Sequence, residues 1–248
     1  MRTPSIETSG LCDAHVHFGK CGLTGLTFYE KDVENLIKRF GIDKMLLFPF
    51  DIDTYDSNKR IIKMTRTWRQ ITPLIRISLN DLRSYRMLAK YLKADAVGGV
   101  KIHPSMDGIP VTNDYYASAF ELVDRYNKIA LIHCGRWEQV SSYKFALEIA
   151  RKHPKARIII AHMGGNELAN TKGAIEGAKD VGNVYLDTSN CRIPLMVKYA
   201  VQQIGSNRLV FGSDTPWGSI LPNLFTVLDA DIPLKEKNRI FTNLGKII

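Results

Sequence analysis

Short apolar runs alternate with amphipathic stretches eight times along this 248-residue chain, and this alternation restricts the fold more than any other property of the sequence. The runs fall near residues 11–16, 44–49, 72–77, 97–102, 129–133, 156–161, 183–187 and 208–212. Helical stretches follow them at 30–40, 57–69, 81–93, 113–126, 141–153, 167–180, 194–204 and 221–229, with a last helix near 234–246. Runs such as Met45-Leu-Leu-Phe48 and Ile158-Ile-Ile-Ala161 are apolar throughout, as strands buried on both faces of a parallel sheet are. Successive runs begin roughly 25 to 33 residues apart, which leaves room for a right-handed helical crossover each time. Eight such units predict an α/β fold, a (β/α)8 barrel forming one domain over residues 1–248, with residues 1–10 irregular and no flanking β-sandwich. An open doubly wound sheet is the rival, but it seldom needs eight equivalent units, and Gly-x-Gly-x-x-Gly does not follow the first run.

Local signals agree with these boundaries. Thr27-x-x-Glu30 reads as a capping box ahead of the first helix, and Gly41 as its C-terminal stop. Pro154 and Pro194 mark a helix end and a helix start. The composition, 45% apolar and 24% charged, is that of a globular chain whose core needs no disulfide staples. Cys12, Cys21, Cys134 and Cys191 show no paired spacing, so a reduced cytoplasm is the simpler setting. The first ten residues lack an apolar signal core, and no run approaches the ~20 residues of a membrane span. The net charge of +9 is densest at Lys59, Arg60, Lys63, Arg66 and Arg69, on one helical stretch. Without interleaved aromatics or a nucleic-acid motif, this reads as a solvated face, and no nucleic-acid partner is expected.

Five of the six histidines and one aspartate stand at or just beyond the ends of strand candidates. They are His15 and His17 on the first, His103 after the fourth, His133 after the fifth, His162 after the sixth and Asp214 after the eighth. Side chains alternate along a strand, so His15 and His17 leave from one face. In a barrel of this kind the functional groups sit at the C-terminal strand ends. Imidazoles and a carboxylate gathered there suit a borderline divalent metal such as zinc. His153, in Arg-Lys-His-Pro, reads as a cation at a helix C-terminus and is left out of the site.

The surrounding words sharpen this pattern. Asp13-Ala-His-Val-His17, Gly99-Val-Lys-Ile-His-Pro104, Ala161-His-Met-Gly-Gly165, Tyr185-Leu-Asp-Thr-Ser189 and Phe211-Gly-Ser-Asp-Thr-Pro-Trp217 resemble the amidohydrolase superfamily of metal-dependent barrels. The resemblance is to its amidohydrolase-related branch, which also contains aminocarboxymuconate-semialdehyde-decarboxylase-like enzymes. It runs from about Cys12 to Asn243-Leu-Gly, and it is specific for fold and metal site rather than for substrate.

The resemblance implies that His15, His17, His133 and Asp214 hold one divalent ion, zinc first, with manganese, iron or nickel open. His162 is then a catalytic acid or base beside Asp214. In the two-metal arrangement His133 and His162 take the second ion, and Lys101, carbamylated, bridges both. The other reading of Lys101 is an ammonium that meets an anionic substrate. Around this centre His103, Arg76, Arg136, Arg192 and Trp217 are candidate substrate-binding residues, since a guanidinium fork matches a carboxylate. Trp217 would wall the pocket.

Two reactions follow. Hydrolysis of an amide, lactone or ester of a small anionic molecule leads, because a bound metal lowers the pKa of its water to about 7. Asp214 would relay the proton and His162 would stabilise the oxyanion. Non-oxidative decarboxylation is the alternative: the same acid–base pair protonates a substrate carbon while an arginine holds the carboxylate. A non-catalytic metal-binding role is the third, and the complete donor set argues against it. Dihydroorotase-like barrels carry an arginine two residues past His-x-His, where this chain has Gly19. The loops at 18–29, 50–57 and 103–112 are the longest and still short, which suits a small-molecule substrate and leaves room for a second copy of the chain to complete the pocket.

Overall fold

The computed structural model describes residues 10–79, 81–135 and 137–248. In chain order the elements are β1 (Leu11–Lys20), β2 (Thr27–Phe28), α1 (Glu30–Phe40), β3 (Ile42–Pro49), α2 (Thr54–Met64), β4 (Ile71–Arg76), α3 (Leu82–Lys93) and β5 (Gly99–Ile102). They continue with α4 (Pro104–Asp107), α5 (Ala117–Arg125), β6 (Ile129–Ile132), α6 (Glu138–Ser141), α7 (Tyr143–Lys152), β7 (Arg157–Ile160) and α8 (Leu168–Ala178). The chain ends with β8 (Val184–Asp187), α9 (Pro194–Ile204), β9 (Leu209–Val210), α10 (Ile220–Asp229), α11 (Leu234–Thr242) and α12 (Leu244–Ile247).

The nine strands form one sheet in the order β2-β1-β3-β4-β5-β6-β7-β8-β9, and every pair from β1–β3 onward is parallel. The sheet closes on itself. Val16 pairs with Thr215 in parallel, and the Ala14 and His17 amides donate to the Phe211 and Thr215 carbonyls, both at 2.8 Å. The result is the eight-unit barrel that the alternation predicts.

Side-chain parity sets up two buried layers. Leu46, Leu74, Ile129, Leu131, Ile159 and Val210 point inward and fill the barrel. Their strand neighbours, among them Leu47, Ile75, Val100, Ala130 and Ile160, point outward to the helices. In α1 the buried positions Val33, Leu36 and Ile37 follow the helical period and cover this outer layer. Gly41, at φ 60° and ψ 40°, ends that helix as predicted, in a left-handed conformation that disfavours any residue with a Cβ. Each fully buried Leu or Ile stabilises by about 1.5–3 kcal/mol.

Four local expectations are corrected. The first helix is not capped by Thr27: Thr27 pairs with Lys20 across a two-residue antiparallel edge, and Tyr29 is the N-cap, its amide donating to the Asp32 carboxylate at 2.9 Å. The helix read over 57–69 spans 54–64, displaced toward the N-terminus. The first strand extends to Lys20, beyond the apolar run. The stretch at 113–126 is a 3₁₀ turn followed by α5, and the short helices α4 and α6 lie in loops where none was predicted.

Candidate metal centre and active site

The inward parity delivers its residues to one place. Two positions beyond inward Leu74 stands Arg76, two beyond Leu131 stands His133, and two beyond Phe48 stands Phe50. Lys101 and His103 occupy the same face of β5 and its extension.

The histidines of β1 need an additional device. Cys12 and Ala14 pack with the barrel interior, so strict alternation would turn His15 and His17 outward. The pairing with β3 slips between Asp13 and Val16: Asp13 opposes Met45 while Val16 opposes Leu47, one extra residue on β1. This bulge reverses the parity, sends Val16 to the outer layer and turns both histidines into the mouth.

His162 and Asp214 arrive by backbone turns instead. His162 (φ 55°, ψ 33°) and Met163 (φ 50°, ψ 31°) are left-handed immediately after β7, and Asp214 has φ 58° after β9. Such a conformation disfavours residues with side chains, and it clusters at functional sites.

The side chains converge. His15 Nε2 lies 3.2 Å and His17 Nε2 3.0 Å from the same oxygen, Asp214 Oδ1. One potential ligand atom from each of His15, His162 and Asp214 lies within 4.8 Å of the others. His162 Nε2 is 3.1 Å from His133 Nδ1, and the His133 ring stacks on His103 at 3.7 Å. Lys101 Nζ reaches to 3.4 Å from His15 Nε2 and sits 4.8 Å above the Phe48 ring. The His17 ring lies flat on Phe50 at 4.6 Å, and its Nδ1 is buried without a hydrogen bond among the described residues.

Asp187, at the end of β8, holds this cluster from behind. It is fully buried, and its Oδ2 accepts from His15 Nδ1 at 2.8 Å. Its Oδ1 accepts the His162 amide at 3.1 Å, the Ser189 amide at 2.9 Å and the Ser189 hydroxyl. Ser189 Oγ in turn lies 2.8 Å from His162 Nδ1. With Nδ1 of His15 and His162 tied to this carboxylate and hydroxyl, both Nε2 lone pairs face the mouth. Asp13 does the same for the backbone: its Oδ1 accepts the His15 amide at 3.0 Å and the Ser213 amide at 2.9 Å. Asn190 donates to Asp214 Oδ2 at 2.6 Å. The sequence reading assigned no role to Asp187, Ser189, Asp13 or Asn190. Asp187 carried a signal, since it ends an apolar strand as the histidines do.

Burial sets the protonation of these side chains. It holds His15, His103 and His133 well below the usual imidazole range, reinforced by Lys101, His133 and His162 respectively, and it lowers His17 as well. Burial brings Lys101 down to about 7 and pushes Asp13 up to about 7. Burial alone would raise Asp214, but the hydrogen bond from the His17 imidazole helps hold the carboxyl below its ordinary value. Neutral imidazoles around an ionised carboxylate are the form that binds a metal. The convergence of His15 and His17 on one Asp214 oxygen, with His162 beside them, therefore fits a divalent cation.

The remaining sequence candidates divide. Arg76 is 1% exposed and lies inward on β4, beside Lys101 on β5. Arg192 is exposed and, with Trp217, lines a cavity of about 310 Å³ at the rim, next to Asn190. Trp217, 43% exposed, meets Phe50 edge-on at 6.4 Å, placing it over the aromatic wall of the mouth. Arg136 lies outside the described residues.

Solved structures share the fold. A dihydroxybenzoic acid decarboxylase from Polaromonas sp. JS666, with bound manganese and 2-nitroresorcinol, superposes at a TM-score of 0.70 with 15% identity, over 96% of each chain. A 5-carboxyvanillate decarboxylase from Sphingomonas paucimobilis gives 0.68 at 12% identity, over 96% of this chain and 98% of that one. An amidohydrolase from Burkholderia multivorans with bound zinc gives 0.73 at 13% identity, over the same shares. No curated protein matches by sequence. The family model described as amidohydrolase matches residues 12–243, almost the full length and every residue of the cluster, and the chain belongs to that family.

Proposed function

We propose that this protein is a metal-dependent, non-oxidative decarboxylase of a small carboxylated substrate. The observation that carries the reading is the pair of buried cations, Arg76 and Lys101, set on neighbouring strands beside the histidine–aspartate cluster. Asp107 balances the charge of Arg76 from 3.6 Å without hydrogen-bonding Nε or Nη2, so a substrate carboxylate would complete the guanidinium where a neutral amide or ester would not. The fold-mates that act on hydroxylated aromatic acids support the same direction. Hydrolysis, which the sequence alone puts first, becomes the second reading.

His15, His17 and Asp214 would hold the ion with His133, and manganese or zinc are the metals to try, as in two of the fold-mates. When bound, the ion supplies positive charge that polarises the substrate oxygens next to the reacting carbon. Phe48, Phe50 and Trp217 line one side of the mouth and limit water there. His162, held through Nδ1 by Ser189, presents Nε2 to the mouth and delivers the proton, with Asp214 as the other member of the acid–base pair. The bond to the carboxyl carbon breaks, its electron pair remains on the substrate carbon, that carbon keeps the proton, and CO2 leaves.

The test is product analysis on metal-loaded protein with hydroxybenzoates in D2O. CO2 release with one deuterium at the vacated carbon supports the proposal. Incorporation of ¹⁸O from labelled water into a cleaved amide, lactone or ester, with no CO2 from any acid, overturns it in favour of hydrolysis.

A further inference from the structure

We propose that the N-terminal end of the barrel, opposite the mouth, docks on an anionic lipid surface. The inference is independent of the reaction at the metal centre.

The charge of this protein is concentrated at that end. The segments leading into β4, β5, β6 and β7 (residues 62–70, 89–98, 124–128 and 150–157) hold eleven lysines and arginines against two acids, Asp95 and Asp124. That balance equals the +9 of the whole chain, so everything outside these four segments sums to neutral. Both acids are already engaged. Asp95 pairs with Lys128, and Asp124 accepts the Lys155 and Ala156 amides at 2.8 and 3.1 Å. The sequence alone reads the basic run at 59–69 as a solvated face; the fold sets its last part beside three further basic loops.

Helix dipoles do not account for the cluster. Lys63, Lys90, Lys93, Arg125 and Arg151 stand in the last turns of α2, α3, α5 and α7, where a cation is ordinary. Arg66, Arg69 and Lys155 lie beyond those turns, exposed and without an ion pair among the described residues. Elsewhere exposed lysines are answered on their own helix, Lys38 by Glu34 at 2.6 Å and Lys172 by Glu176 at 3.8 Å. Crowded like charge raises the energy of the folded protein, and an anionic surface relieves it.

The loops leave the barrel at one level. Gly99, Ile129 and Arg157 are register partners at the starts of β5, β6 and β7, and adjacent strands are about 4.8 Å apart. Neighbouring loops therefore sit within about one Debye length of each other, ~8 Å at physiological salt, and act together on a plane laid across that end. A cavity of about 680 Å³ opens in the same face, lined by Asn127, Lys155, Arg157, Asn183 and Tyr185. Arg157 is held by the Ile247 and Asn127 carbonyls, which leaves the Lys155 ammonium to meet a phosphate headgroup there. Among the described residues, none of the large exposed apolar side chains belongs to these loops, so the contact is electrostatic and reversible by salt. Trp68, Tyr91 and Tyr126 pack against the core and offer no platform for stacking bases, which favours lipid over single-stranded nucleic acid.

The experiment is co-sedimentation of the metal-loaded protein with vesicles of phosphatidylcholine alone or with about one-third phosphatidylglycerol, at about 0.15 M salt. Binding should be at least tenfold stronger on the anionic vesicles and be lost at about 1 M salt. Arg66→Gln, Lys93→Gln and Lys155→Gln together should weaken it at least tenfold. Lys31→Gln, Lys144→Gln and Lys172→Gln together remove the same charge near helix starts toward the mouth, and should weaken it less than threefold. Both triple variants change exposed side chains, and an unchanged circular dichroism spectrum verifies their fold. Equal losses in the two variants mean that net charge alone attracts the protein, and overturn the docking face. Equal binding to neutral and anionic vesicles overturns it as well. Tighter binding to a DNA duplex than to the anionic vesicles, abolished in the loop variant, overturns the lipid in favour of nucleic acid.

Discussion

His15 Nδ1 and Asp187 Oδ2 stand 2.8 Å apart, although 172 positions separate the residues in the chain. The same carboxylate reaches His162 through its amide and through Ser189, so one buried group orients two imidazoles. Asp187→Asn keeps the shape but can no longer accept every one of these hydrogen bonds. Metal affinity should fall 10- to 100-fold, read by titration against a competing chelator, with the circular dichroism spectrum unchanged.

His162 lies within reach of both roles. As an acid–base residue, it should leave metal content near the wild-type level when replaced by Asn, while turnover drops by a factor of 10² to 10⁴. Elemental analysis beside the kinetic assay separates the cases: a variant that loses its metal makes His162 a ligand.

Gly99 opens β5, the strand that carries Lys101 and leads to His103. A Cβ placed there would overlap the Ile129 carbonyl of β6, on backbone that cannot withdraw. Gly99→Ala should destabilise the protein by about 3 kcal/mol, seen as a lower denaturant midpoint.

The metal-free protein should be sensitive to acid. His15, His17, His103 and His133 have lowered folded-state pKa values, so the unfolded chain binds more protons as pH falls below the ordinary imidazole value of 6.5. Their contribution is fully present above 6.5 and is lost as pH drops through the folded values. Lys101, lowered to about 7, acts with the same sign between 10.5 and 7. Asp13, raised to about 7, opposes them, stabilising below 3.8 and losing that effect as pH rises through 7. Asp187, raised by burial, opposes them as well; Lys101 acts mostly above this interval, and the four histidines outweigh the two carboxyls, so Tm should fall between pH 7.5 and 5.5. A flat Tm over that interval would contradict the neutral-histidine arrangement.

The barrel was readable because its signals are local: apolar runs, turn residues and the spacing between them depend on neighbours in sequence. The convergence of His15 and His17 with Asp214 was readable for a related reason, since strand ends in this architecture face one mouth. The means of convergence were not. The bulge at Asp13–Val16 and the left-handed turns at His162, Met163 and Asp214 are imposed by tertiary packing and leave no distinct pattern in composition. Sequence position does not single out Asp187, because a carboxylate acting through a histidine resembles any other strand-end acid. Likewise, sequence position could not separate Arg76, buried with an open fork, from Arg192, exposed at the rim.

The seam of the barrel runs between β1 and the segment after β9, and His17 and Asp214 face each other across it, 197 positions apart. A cation gripped by both sides works as a fastener on the one joint that sequential strand pairing leaves until last. Any opening of the seam would release the ion, and any bound ion would resist that opening, so metal exchange and breathing of the barrel ends would share a single rate. A ribosome-bound chain that lacks its last forty residues has no such clasp, and metal capture would report that the ring is complete.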